Sequence, residues 1–351
     1  MKIAYIVPSL IKSGPIKVVH QLVEALQKEH AVEIFYFKVP EREKLSFSVP
    51  TYKIKFNEPI DFDTYDIIHS HTILADAYVW FHRNKIKQAK TVTTLHTYAK
   101  EGLLFAYGKV KSFFLLRLWK IVISKHDKIV VLSKDAVHYY KNMWDIENIT
   151  FVYNGIRNTK IMKYDHIAPP NKIIKIGVIA SAGGISRGKG IDQVIEAISK
   201  LESHELYIAG KETEESIVLK KQAQKLGVLK QIHFLGYVDN MASFLENMDL
   251  FVLPTRLEGL PLSLLEIARV GKPVVCSDIP VFKEIMNESE VSFFEMDNIK
   301  SLEMAIQKIE ENKDVYSDRI QKAFLAKFTA EKMAENYLKV YEDLIKGKGN
   351  A

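Results

Sequence analysis

Short runs of β-branched and aromatic residues alternate with amphipathic helical stretches along nearly the whole chain, and they do so in two separate series. In the first, "IAYIV", "VEIFYF", "DIIHSH", "TVTTLH", "KIVVLS" and "ITFVY" read as strands, with helical patterns such as "PIKVVHQLVEALQKE" and "KDAVHYYKNM" between them. The rhythm breaks at "RNTKIMKYDHIAPPNK", a basic segment with two adjacent prolines and no periodicity, then resumes with "IIKIGVIA", "ELYIAG", "IHFLG", "LFVLP" and "KPVVCS". Alternation of this kind predicts an α/β fold of two doubly wound, parallel-sheet, Rossmann-like domains facing a cleft, with ligands at the carboxyl ends of the strands. The expected boundaries are a first domain at 1–163, a linker at 164–172 and a second domain at 173–328. A length of 351 residues suffices for two cores. The last helix, "TAEKMAENYLKVYEDLIK", has its own apolar stripe (Met333, Tyr337, Val340, Tyr341, Leu344). We expect 329–351 to pack back onto the first domain, the alternative being its own.

Several classes of protein are disfavoured at once. The longest apolar stretch, "SFFLLRLWKIVIS", is interrupted by Arg117 and Lys120 and falls short of the roughly 20 residues of a membrane span. "MKIAYIVPSL" runs into a strand-like segment without a secretory cleavage pattern, so a cytoplasmic location is expected. The single cysteine, Cys276, cannot form an internal disulfide and reads as a buried strand thiol. Charge is uneven: 25 Lys and Arg against 16 Asp and Glu up to Asp165 (+9), then 24 against 27 (−3). The basic half favours an acidic partner, and charge alone does not choose among anionic lipid, a lipid-linked phosphate and nucleic acid.

The most informative stretch is "DLFVLPTRLEGLPLSLLEIARV". A strand ends at Pro254, a loop follows, and Pro261 suits the first turn of a helix because it has no amide proton to leave unsatisfied. A helix start reached from a strand end offers free amides and partial positive charge, and so suits phosphate. Glu266 lies just over a turn into that helix, where side chains lean back toward the amino end. Its two oxygens can accept from the vicinal hydroxyls of a ribose. Glu258, in the loop, stands on the other side of the phosphate and can take hydroxyls of a second polar group. The arrangement suits a nucleotide diphosphate sugar.

"PTRLEGLPLSLLEIARVGKPVVCSDIPVFKEI" closely resembles the donor-site signature of family-four retaining glycosyltransferases of the GT-B fold, including two glutamates separated by seven residues, the EGLPL turn, the G-K-P-V-V strand and Glu284. The resemblance extends over essentially the whole chain. "SLIKSGPIKVVHQL" is similar to the glycine-containing first loop, "TLHTYAKEG" to the loop with the sugar-contacting histidine, "YNGIRN" to the segment entering the linker, and "RGKGIDQVIEAI" to the phosphate-binding loop. It implies an acceptor-side first domain and a donor-binding second domain. By resemblance, Glu266 binds ribose, Glu258 contacts the transferred sugar, His96 hydrogen-bonds that sugar, and Lys189 neutralises the leaving diphosphate. Gly14, Arg187, Gly259, Leu260, Pro261 and Leu262 complete the implied donor contacts.

Two departures stand out. Many members place an arginine five residues before the loop lysine, where this chain has Gly184; Arg187 is the candidate replacement. The first loop keeps Gly14 alone of the usual paired glycines. Other patterns read as background. "DFD" at 61–63 imitates a metal-binding acidic pair but lies far from the donor residues, and His69 and His71 share one sheet face at strand spacing. No metal and no cofactor are expected, since a helix start and Lys189 can meet the charge of the diphosphate. The dinucleotide glycine fingerprint and the full Walker lysine motif are both missing.

"YGKVKSFFLLRLWKIVISKHDK", residues 107–128, is basic and aromatic-rich, with Lys109, Arg117, Lys120 and Ser124 on one helical face. It reads either as a helix lying on an anionic membrane surface or as a core helix with one polar stripe. No nucleic-acid recognition motif is present. The expected function is therefore retaining transfer of a sugar, uridine-linked by family frequency, to a hydroxyl of a glycan or lipid-linked acceptor in cell-surface polysaccharide or glycolipid synthesis. A non-catalytic sugar-nucleotide-binding subunit and an epimerase or hydrolase of the same architecture are the competing readings.

Overall fold

A computed structural model describes residues 1–39, 44–159, 173–180 and 184–347. The expected linker at 164–172 lies outside the described residues. The chain divides into two compact units, Met1–Arg157 with Thr329–Ala351, and Asn158–Phe328.

In the first unit, β1 (Lys2–Ser9), α1 (Gly14–Leu26), β2 (Ala31–Lys38) and β3 (Thr51–Lys53) are followed by β4 (Ile67–His71), α2 (Ile73–Phe81), β5 (Lys90–Thr94), α3 (Ala99–Ile123), β6 (Lys128–Val131), α4 (Lys134–Trp144) and β7 (Ile149–Phe151). The strands form one parallel sheet in the order β3-β2-β1-β4-β5-β6-β7. Its central strands read as continuous apolar runs because helices cover both faces, and β1 and β4 are buried along most of their length.

The second unit contains β8 (Ile174–Ile179), α5 (Ile191–Ile198), β9 (His204–Ala209), α6 (Glu214–Lys225), β10 (Ile232–Gly236), α7 (Met241–Asn247), β11 (Leu250–Leu253), α8 (Leu262–Arg269), β12 (Val274–Ser277), α9 (Pro280–Ile285), β13 (Ser292–Phe294), α10 (Ile299–Glu311) and α11 (Lys313–Lys327). Its parallel sheet has the order β10-β9-β8-β11-β12-β13. Close packing fixes one glycine in it: a Cβ at Gly177 on β8 would sit 2.3 Å from the Phe251 ring. Cys276 is fully buried on β12, where desolvation pushes its thiol up.

The last helix, α12 (Ala330–Lys346), belongs to the first unit. Thr329 caps it by accepting from the Lys332 amide. Met333, Tyr337 and Tyr341, three residues of its apolar stripe, are buried. Tyr341 Oη lies 3.0 Å from Tyr5 Oη on β1 and 2.7 Å from His69 Nδ1 on β4, while Tyr337 Oη lies 3.0 Å from Thr94 Oγ1 on β5. Buried hydroxyls of this kind need partners, and these bonds both satisfy them and fix the helix against three strands. The acidic pattern at 61–63 forms a single 3₁₀ turn, Phe62–Thr64, in which Asp63 accepts from the amides of Lys87 and Gln88 at 2.9 Å.

Candidate functional site

Strand order locates the sites. In the second unit the chain leaves β8 toward β9 and β10 on one side, whereas β11, β12 and β13 build the other. β8 and β11 are parallel neighbours, so the loops leaving their carboxyl ends diverge and open a crevice between them. Lys189 lies on the loop after β8 and Glu258 on the loop after β11. The two are joined in an ion pair between Lys189 Nζ and Glu258 Oε1, with about one-fifth of each side chain exposed.

The two loops are also stitched together directly. Arg256 holds Asp192, near the start of α5, with both terminal nitrogens at 3.0 and 2.9 Å, and reaches Asp297 at 2.7 Å. The same guanidinium donates to the Arg187 carbonyl at 2.9 Å, and the Arg256 amide donates to the Gly188 carbonyl at 2.8 Å. Bonding to Asp192 raises the pKa of Arg256 still further, although burial opposes this. Gly190 closes the Lys189 turn at φ 65°, and a Cβ there would lie 2.0 Å from the Pro254 carbonyl oxygen. Only glycine fits such a left-handed position at so close an approach.

Helix α8 begins at Leu262 with Pro261 as its N-cap, one residue later than the expected placement of Pro261 inside the first turn. The proline's missing amide proton costs nothing at either position, which leaves the boundary to be set by the EGLPL turn. The amides of Leu262 and Ser263, the first two of α8, have no hydrogen-bond partner among the described residues, whereas the Leu264 amide donates to the Pro261 carbonyl at 3.2 Å. Glu258, Pro261, Ser263 and Lys189 line a small cavity between the two loops, closed below by Val178 and Leu253. Leu260 is buried and anchors the turn that carries Gly259. Glu266 is half-buried on α8 near Arg269, whose guanidinium is lowered by burial while the Glu266 charge opposes that shift. A wider groove of about 520 Å³ beside β13 and α10, with Glu295, Lys300 and Lys308, carries none of these residues.

Arg187 is exposed on a single 3₁₀ turn, Arg187–Lys189, and its side chain has no hydrogen bond or ion pair among the described residues. Gly184 is buried at φ 91°, and a Cβ there would meet Thr213 Cγ2 at 2.8 Å and the Lys211 carbonyl at 2.9 Å. The missing arginine therefore has a local physical cause: this backbone leaves no room for a side chain at 184.

In the first unit the order reverses between β1 and β4. Gly14 opens α1 after β1, His71 ends β4, and His96 follows β5. His71 Nδ1 and His96 Nε2 are 2.9 Å apart, and the His69 and His71 rings, tilted by 34°, have centroids separated by 4.2 Å. Burial pushes His96 down to about 4 and holds His71 and His69 well below the ordinary histidine range, so all three are neutral near pH 7. His71 Nε2 is buried without a partner among the described residues. A buried orphan N–H is costlier than a bare ring nitrogen, which assigns His71 Nδ1–H as donor to His96 Nε2 and leaves the His96 proton on Nδ1. A Cβ at Gly14 would meet nothing within 4 Å, so the fold itself does not demand glycine there.

Arg256, Asp192, Asp297 and Gln193 have no role implied by the sequence motifs, yet they brace the loops, and the Gln193 side-chain amide ties Gly190 to Met296 and Asp297. The one available signal was "PTRLEG" itself, in which an arginine two residues past a strand end has reason to find a carboxylate.

These features define a chain of two parallel-sheet domains, the second with a helix-headed crevice that holds the Lys189–Glu258 pair. Residues 13–159 match the profile "Glycosyltransferase Family 4" and residues 167–326 match "Glycosyl transferases group 1". The O-antigen biosynthesis glycosyltransferase WclY of Escherichia coli is 32% identical over 358 residues, covering 99% of both chains. The chain belongs to the group 1, family 4 glycosyltransferases. Its fold is GT-B: the sucrose-phosphate synthase of Thermosynechococcus elongatus superposes with a TM-score of 0.80 at 16% identity over 99% of this chain and all of that one. The Anabaena protein HepE, solved in complex with UDP-glucose, superposes with a TM-score of 0.76 at 15% identity over 98% of this chain and all of that one.

Proposed function

We propose that the protein transfers a sugar, with retained anomeric configuration, from a uridine diphosphate sugar to a hydroxyl of a glycan or lipid-linked acceptor during O-antigen or related surface-polysaccharide synthesis. The observation that carries this reading is the Lys189–Glu258 pair at the β8/β11 switch point, beside the head of α8. Similarity to WclY supports the pathway, and the UDP-glucose complex of HepE supports the donor class.

In this reading the diphosphate lies against the first amides of α8, near Leu262 and Gly259. Glu266 accepts from the ribose hydroxyls, and Glu258 takes hydroxyls of the sugar. Lys189 has three donors and spends one on Glu258, which leaves two for phosphate oxygens. Arg187, exposed on the same turn, adds a second cation. As the glycosidic bond to the diphosphate breaks, negative charge grows on the departing oxygen, and fixed cations and amides meet it without reorganisation. His96 donates Nδ1–H to a sugar hydroxyl while remaining neutral. Gly14 lets the backbone after β1 approach the donor closely. Charge on the leaving group is met without a divalent ion.

The test is incubation with radiolabelled UDP-sugars and a lipid extract, with and without EDTA. Chelator-insensitive transfer to an organic-soluble product with α-linkage from an α-donor is expected. Donor binding without turnover for any sugar and acceptor would instead indicate a sugar-nucleotide-binding subunit, and a changed or free sugar without acceptor an epimerase or hydrolase.

A further inference from the structure

Helix α3 has two apolar sides, and among the described residues only one of them is covered. Gly108, at φ 71° and ψ 177°, breaks the helix and sets residues 109–123 off as a separate straight segment. One side of that segment, Trp119, Val122 and Ile123 with Leu115 and Leu116, packs on the domain core with Leu95, Tyr140 and Trp144. Trp119 Nε1 also donates to the buried carboxylate of Asp76 on α2 at 2.9 Å, which fixes the rotation of the helix about its axis.

The opposite side points into solvent. Val110, Phe114, Leu118 and Ile121 recur at spacings of four, four and three, within an arc of about 80° at 3.6 residues per turn. Val110 is 74% exposed and Phe114 65%, with Leu118 and Ile121 about half exposed. Phe113 adds to the same surface with the Arg117 guanidinium 4.2 Å above its ring, and Tyr107 extends it past the kink. Basic residues border the stripe on both sides, Lys109 and Lys120 along one edge and Lys111 along the other, all exposed. From Gly102 to His126 the sequence holds five Lys and Arg and no Asp or Glu. No helix among the described residues is long and apolar enough to cross a membrane.

We propose that this face of α3 seats the protein on the surface of an anionic phospholipid bilayer. Val110, Phe114, Leu118 and Ile121 enter the acyl boundary, while Lys109, Lys111, Arg117 and Lys120 lie at the level of the phosphates with their alkyl stems along the stripe. Charge complementarity selects this occupant. A second copy of the chain would bring the same all-basic border against itself, whereas an anionic lipid surface meets it at every edge. The inference concerns where the enzyme works and stands independently of the donor chemistry.

Flotation of the full chain with vesicles decides it. Partition onto vesicles of phosphatidylglycerol and phosphatidylethanolamine is expected to exceed partition onto pure phosphatidylcholine by at least tenfold and to weaken with salt. The double variant Phe114→Ser, Ile121→Ser, altered only at exposed positions, should lose at least tenfold in partition with unchanged thermal unfolding. Lys109→Gln with Lys120→Gln should lose binding chiefly at low anionic-lipid content. Equal binding to neutral and anionic vesicles, or undiminished binding by the serine variant, overturns the proposal. So does a concentration-dependent dimer that the serine variant abolishes while vesicle binding persists.

Discussion

Arg256 and Asp192 form a two-pronged ion pair, at 3.0 and 2.9 Å, that ties the loop after β11 to the first turn of α5. Lys189 and Glu258 sit on the two segments joined in this way. In the proposed donor mode this cation and carboxylate act on one diphosphate sugar and need a fixed separation, which Arg256 supplies while itself reaching Asp297 and the Arg187 carbonyl.

Arg256→Ala is therefore expected to lower stability by about 1–2 kcal/mol, the range for charged hydrogen bonds discounted for partial exposure. Nucleotide affinity should fall along with it. Urea denaturation and calorimetric titration check the two effects; intact nucleotide affinity in the variant would show that the pair does not organise the site.

Lys189→Ala should leave the fold nearly unchanged, with a stability loss no larger than about 1–2 kcal/mol. The turnover number should fall by about 10²–10³ if Lys189 meets charge on the departing diphosphate. A rise in KM alone, at constant kcat, would mean that the lysine binds donor and transition state equally.

Two glycines give opposite expectations. Gly190→Ala places a Cβ 2.0 Å from the Pro254 carbonyl at positive φ and should destabilise the second domain by more than about 1 kcal/mol. Gly14→Val puts its Cβ where no atom lies within 4 Å and should unfold like the wild type, yet bind donor at least tenfold more weakly. Paired thermal melts and titrations separate these outcomes, and a Gly14→Val protein with normal donor affinity would remove Gly14 from the site.

The histidines predict a pH response with a definite sign. His69, His71, His96 and His126 are all held below the ordinary histidine value by burial, so the unfolded chain binds more protons than the folded one once the pH drops below about 6.5. Stability should be constant above that point and decline as the pH falls toward 5, with the His96 contribution levelling off near 4. If neutral His96 donates to the sugar as proposed, activity should not depend on His96 protonation between pH 6 and 8. Chemical denaturation at stepped pH checks the first expectation, and rising stability below pH 6.5 would contradict it.

Much of this was legible in the chain itself. The central strands are long apolar runs between amphipathic helices, and a parallel sheet leaves that trace directly. β3 and β13 escape because three residues are too few to show a period, whereas β7, equally short, is legible because Val152 and Tyr153 extend it to "ITFVY". The donor loop was readable because its glutamates and its helix start are sequence neighbours. Arg256 and Asp192 lie 64 positions apart, and nothing local links them. The exposed stripe of α3 was hidden for a related reason: a helix apolar on two opposite sides has almost no net amphipathicity, so sequence alone left both of its readings standing.

In the proposed mode a nucleotide diphosphate is held at the head of α8 with its ribose on Glu266. Calorimetric titration of UDP, GDP and ADP into wild type and Glu266→Ala tests it most directly. We expect one of the three to bind the wild type and to bind the variant at least tenfold more weakly, with identical thermal unfolding of the two proteins. Equal affinity in both, or no binding of any of them to the wild type, would contradict it.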